Sequence, residues 1–154
     1  MYRRDIVKFS FVIVLGVASA NAVSTEDLQI ENAWIRAMPP TQRMTAGYLD
    51  IHNSGTSPVE ISGARAGIAK LAEIHTSQEI DGYVRMQHLE RFTINPGATV
   101  SLSPGGMHLM LMGLEKMPAA GTDAEICLIS SSGSEICAQA TVRRGSAGVQ
   151  SQHH

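Results

Sequence analysis

The sequence predicts a single all-β domain, a sandwich or barrel, from three observations. Short runs of apolar and β-branched residues recur along the chain, turn residues punctuate them at close intervals, and no long stretch sustains a 3.6-residue apolar period. Many short strands with such punctuation are the pattern of sandwiches and barrels.

The first expected strand, 28–37, carries the only tryptophan, Trp34, which is expected to anchor the core. The second, 45–52, ends at Asn53-Ser54-Gly55, and His52 there reads as a hydrogen-bonded structural histidine. Strand 59–64 follows. Strands 72–76 and 83–88 come next, with Asp81-Gly82 between them as a hairpin signal. Asn95-Pro96-Gly97 introduces strand 99–102, and Pro104-Gly105-Gly106 introduces strand 107–112. Glycine supplies positive φ at such turns and proline pre-sets its own φ. Strands 125–130 and 135–142 flank a Ser/Gly turn that includes Ser132-Gly133. Cys127 and Cys137, the only cysteines, could then face each other across a hairpin. An even count favours a disulfide in an oxidising compartment, with two free thiols and a metal or redox role as the alternatives.

Residues 1–22 read as an export signal. Arg3, Arg4 and Lys8 form a basic start, residues 9–17 an apolar core, and Ala18-Ser19-Ala20-Asn21-Ala22 a small-residue cleavage site. The apolar run is shorter than the ~20 residues a membrane span needs. A β-domain over 23–144 and a flexible polar tail over 145–154 complete the expected organisation, with a periplasmic address. Without the leader's Arg3, Arg4, Lys8 and Asp5, twelve basic and fourteen acidic residues become nine and thirteen, a formal net charge of −4. A mildly acidic chain with no basic, aromatic-laced stripe argues against nucleic acid as a partner. No second apolar segment predicts stable membrane insertion of the mature chain.

The chemistry concentrates in Gly105-Gly106-Met107-His108-Leu109-Met110-Leu111-Met112-Gly113-Leu114. On a strand, His108, Met110 and Met112 share one face while Leu109 and Leu111 share the other. One imidazole with neighbouring thioethers, and no carboxylate among them, suits Cu(I). Met112, one step further along, is expected to lie deeper, in the core or behind the site. His75 and Met86 complete a possible site from two other short β-compatible segments. His88 shares the face of Met86 and is permitted as an auxiliary donor. Glu73 and Arg85 flank the donors and are candidates for orienting them.

The order His75, ten residues, Met86, twenty-one residues, His108-x-Met110 resembles the signature of the PCu(A)C family of periplasmic copper chaperones. The resemblance runs from about Asn32 to about Arg144. It includes Ala33-Trp34-Ile35-Arg36-Ala37, Pro39-Pro40, Ala46-Gly47-Tyr48-Leu49, Ile51-His52-Asn53, Asn95-Pro96-Gly97 and the Pro104-Gly105-Gly106 run. It implies a cupredoxin-like fold and one Cu(I) held by His75, Met86, His108 and Met110. It also implies delivery to the copper-site subunit of cytochrome c oxidase, beside a Sco-type thiol protein. The terminal His153 and His154 could in addition capture Cu(II).

No cysteine falls in a donor segment, which counts against a blue-copper electron carrier. The sequence also holds no G-x-S-x-G, H-E-x-x-H or P-loop, and an enzyme is not expected. The alternatives to a chaperone are a periplasmic copper buffer without a dedicated acceptor and a metal-free structural sandwich.

Overall fold

Alternating burial shapes the chain into strands. The computed structural model describes residues 27–145. The strands are β1 (Leu28–Arg36), β2 (Met44–Asn53), β3 (Val59–Ala66), β4 (Leu71–Ile80), β5 (Tyr83–His88), β6 (Phe92–Ile94), β7 (Thr99–Leu102), β8 (His108–Met112), β9 (Asp123–Ser130) and β10 (Glu135–Arg143). No α-helix occurs among the described residues, so the expected all-β class holds. The expected leader over 1–22 and the terminal His153 and His154 lie outside the described residues. Within them, no helix is long and apolar enough to cross a membrane.

Strand pairing runs β4-β8-β2-β1-β10-β9-β3, and Ala64 opposite Ala72 joins β3 back to β4. The sheet thus closes on itself as a barrel, which removes most of its exposed edges. Three short strands hang from this ring: β5 on β4, β6 on β3 and β7 on β2. The β1–β10 pair is parallel, and the other pairings are antiparallel. Ile35, Ile51, Ile61, Ile74, Ile94, Leu109, Leu111, Ile126, Leu128 and Val142 point inward and are fully or almost fully buried. Asn53 is the polar side chain among the largest fully buried ones, and all its amide partners are internal. Its Nδ2 donates to the Ser57 and Ile94 carbonyls at 2.9 and 3.0 Å, and its Oδ1 accepts from the Gly55 amide. That network fixes the turn after β2 without an orphaned polar group.

The structure departs from expectation at four points. Trp34 does not anchor the core; it is half-buried on the outer face, stacked on Tyr48 at 4.4 Å between ring centroids, with the Arg143 guanidinium 4.3 Å above it. Its neighbour Ile35 takes the inward position, as strand alternation requires. Met112 does not lie deeper than Met110; both are half-buried on the outer face, with Met44 and Leu71 opposite Met112. Strand β6 is absent from the sequence reading, because three residues beside Asn95-Pro96-Gly97 are too short to show a period. Strand β4 also runs four residues past the expected end, through mostly polar positions paired with β5 and a Ser77 amide that donates to the Gly106 carbonyl at 3.2 Å.

The hairpin signals fare better. Ile80 pairs with Tyr83 around Asp81 and Gly82, whose φ values are 53° and 78°. Both central residues are left-handed, as a two-residue hairpin turn requires. Cys127 pairs with Cys137 across β9 and β10, and the two form a disulfide with Cα atoms 4.0 Å apart. His52 Nδ1 lies 3.0 Å from Thr99 Oγ1, a structural hydrogen bond as expected.

Two stability predictions follow from these contacts. Replacing both Cys127 and Cys137 with Ser should lower unfolding free energy by about 2–3 kcal/mol in denaturant melts, the effect of opening a short covalent loop. Gly82→Ala should cost about 1 kcal/mol by the same assay. Its added Cβ meets nothing within 4 Å, so only the left-handed backbone is penalised.

Candidate metal centre

Strand β8 is built from the inside out. Leu109 and Leu111 are fully buried, which turns His108, Met110 and Met112 to the opposite face. Gly105, with φ of 84°, makes the turn that brings the chain into this strand. Its neighbour Gly106 then serves the site directly, because its carbonyl lies 3.0 Å from His108 Nδ1. A carbonyl can only accept, so Nδ1 carries the proton of the neutral ring and Nε2 presents its lone pair. His108 itself is buried, at 6% exposure.

Strand β4 lies beside β8 and aligns the second imidazole. His75 stands directly opposite His108, with ring centroids 6.1 Å apart. Its Nε2 lies 2.8 Å from Glu73 Oε2, so the carboxylate accepts the Nε2 proton. Nδ1 is buried and has no hydrogen-bond partner. An unpaired buried nitrogen is costly unless something else occupies its lone pair. Carboxylate behind and bare nitrogen in front is the arrangement by which proteins orient metal-binding histidines. Glu73 is two residues before His75 and on the same face, opposite Met110. Arg85 falls on the other face from Met86, opposite Gln78, and takes no part in the site.

Strand β5 supplies the remaining expected donor. Met86 pairs with Ser77, one step along from His75, and is 57% exposed. Met86, His108 and Met110 line one open pocket of about 330 Å³, shared with Met38, Met44, Tyr48 and Arg36. His75 does not line that pocket; it sits behind it, next to His108. Three of the four expected donors therefore meet at one opening and the fourth adjoins it. Met38 and Met44 have no place in the His/Met spacing of the sequence, yet both line the opening. Pairing of β2 with β8 brings Met44 into the opening, which no linear spacing reveals. His88 stands opposite His75 at 5.7 Å between ring centroids.

The surroundings are aromatic and cationic on one side. Tyr48 lies 6.4 Å from His108 by ring centroids, and the Arg36 guanidinium sits 5.4 Å over the Tyr48 ring. Burial raises the Tyr48 hydroxyl above its usual range, while Arg36 pulls it back down. A larger depression of about 550 Å³ is lined by residues such as Pro39, Pro40 and Pro118 and offers no comparable donor set. Glu125, Cys127 and Cys137 bring donor atoms within 4.8 Å of one another, but both sulfurs are committed to the disulfide.

A family model described as "Putative lipoprotein LpqE-like" matches residues 28–142. The chain belongs to the LpqE-like family. The matched region contains the four expected Cu(I) donors and His88. "Putative lipoprotein Lxx21020" of Leifsonia xyli subsp. xyli (strain CTCB07) is 34% identical over 110 residues, covering 71% of this chain and 65% of that relative. The LpqE-like chain thus spans slightly under two thirds of that relative's length. The solution structure of CuI-DR1885 from Deinococcus radiodurans superposes with a TM-score of 0.60 at 30% identity, over 74% of this chain and 76% of that one. The copper-bound PCuAC domain from PmoF2 gives 0.63 at 24% identity, over 77% and 94%. The fold is therefore the cupredoxin-like β-architecture of PCuAC domains.

The hydrogen-bond partners predict opposite tautomers for the two facing histidines. In metal-free protein, long-range ¹H–¹⁵N NMR spectra should show His75 as the Nε2–H form and His108 as the Nδ1–H form. Glu73→Ala should abolish the preference at His75 and leave His108 unchanged.

Proposed function

We propose that this domain is a periplasmic copper carrier that binds one Cu(I) through His75, Met86, His108 and Met110. It would deliver that ion to the copper centre of cytochrome c oxidase, with a Sco-type thiol protein as its companion in that assembly. The supporting observation is one outer face where two oriented imidazoles adjoin the thioethers of Met86 and Met110. That face belongs to a fold whose 30%-identical relative DR1885 was solved with Cu(I). The donor set is uncharged and soft, which favours the monovalent ion. It carries no thiolate, since both cysteines are in the disulfide. The opening at Met86 gives a partner access to the ion, which suits transfer better than burial would.

Anaerobic titration should reach one equivalent of Cu(I), with both nitrogen and sulfur scattering in X-ray absorption. His108→Ala and Met110→Ala should each weaken binding by at least about tenfold, since even outer partners of a metal site are worth 10–100-fold. Unchanged affinity in both variants would refute the site. Mixing loaded protein with an apo oxidase copper domain tests the delivery step; copper that stays in place would mark a buffer instead.

A further inference from the structure

Three histidines stand in register on three adjacent strands. His88 on β5 pairs with His75 on β4, and His75 pairs with His108 on β8. Their ring centroids are 5.7 and 6.1 Å apart, so the three rings form a row across the sheet. Two imidazoles sharing one ion through bonds of about 2.0 Å place their centroids roughly 4.5 Å apart when cis and 6.4 Å when trans. Both neighbouring pairs fall inside that range. In the metal-free arrangement the outer two rings do not converge with His75 on one point, because the only cluster of three His, Cys, Asp or Glu donors among the described residues is at the disulfide. His88, however, is exposed on a strand paired only with β4, so its side chain can turn without displacing packed atoms.

We propose that His88, His75 and His108 form an all-imidazole donor row that takes Cu(II), beside the thioethers that suit Cu(I). The inference rests on the copper reading above, because it shares His75 and His108 with it. The chemistry separates the two donor sets. Thioethers are poor partners for the cupric ion, whereas imidazoles suit it. His75 is the middle ring of the row; its Nδ1 has no hydrogen-bond partner, and Glu73 accepts the proton on its other nitrogen. That carboxylate also adds the negative charge a divalent ion favours nearby. His88 then distinguishes the oxidation states: it binds with the cupric ion and stands aside from the cuprous one, where Met86 takes its place from the same strand.

The test compares the full chain with its His88→Gln variant, both carrying His153→Ala and His154→Ala so that the tail contributes nothing. Each is titrated with Cu(II) under electron paramagnetic resonance and, separately and anaerobically, with Cu(I). The expected result for His88→Gln is Cu(II) affinity weakened by at least about tenfold. Its spectrum should show one fewer coordinated nitrogen, and its Cu(I) affinity should stay within twofold. A Cu(II) spectrum and affinity unchanged by the substitution would overturn the row. Loss of Cu(I) binding in the unsubstituted background, with the His88-dependent Cu(II) signal intact, would refute the carrier reading and leave the row standing.

Discussion

Burial of Leu109 and Leu111 is the interaction on which the site depends. Each is fully buried, and a leucine taken out of water is worth about 1.5–3 kcal/mol. Because strand side chains alternate, a slip of one residue would expose both leucines and drive His108 and Met110 into the core. Neighbouring strands reinforce the register from both sides. Gly47 on β2 and Ile74 on β4 stand opposite Leu109, and a Cβ at Gly47 would already touch Leu109 at 3.6 Å. The donors on β8 are therefore placed by hydrophobic packing before any ion arrives. Such preorganisation removes much of the ordering cost that binding would otherwise carry.

Electrostatics then decide which ion that placement favours. The four expected donors are neutral, so a bound cuprous ion leaves a single positive charge at the opening. Arg36 lines the same pocket and opposes any cation there, while Glu73 offsets it from behind His75. Tyr48 is the one hard oxygen donor among the aromatic neighbours. An ordinary phenol is already neutral at physiological pH, and burial shifts Tyr48 further in that direction, so it offers the pocket no anionic oxygen. The pocket thus stays soft in character, as Cu(I) prefers. On the copper reading, the Arg36 guanidinium limits how tightly the pocket would hold its ion, as suits a carrier that must let go.

Much of this was legible in the chain, where local rules govern. Asp81-Gly82 predicted its hairpin, Cys127 and Cys137 predicted their pairing, and the His108-x-Met110 spacing predicted a shared face. Each of those depends on neighbours within a few residues. What stayed hidden depends on pairing between distant segments. Met44 enters the pocket only because β2 lies beside β8, and the row of imidazoles exists only because β4 lies between β5 and β8. Trp34 misled for a related reason. A lone large aromatic suggests a core anchor, yet Tyr48 and Arg143 give it a stacked place outside the barrel, where its apolar body is still covered.

The barrel treats the donors unequally, and that inequality bears on release. His108 and Met110 sit on a strand paired on both sides, by β2 and β4. Met86 sits on β5, all six of whose residues are exposed and which pairs only with β4. Strands with few buried contacts open at low free energy, so Met86 is the donor most easily withdrawn. On the copper reading, its departure would leave the ion on His75, His108 and Met110 with one position turned to solvent. An acceptor's donor can enter there before the packed nitrogens let go, so the ion is never free in water. On that reading, exchange would begin at the outermost thioether and end at the buried imidazole, because the closer a donor is to Leu109 and Leu111, the later it can move.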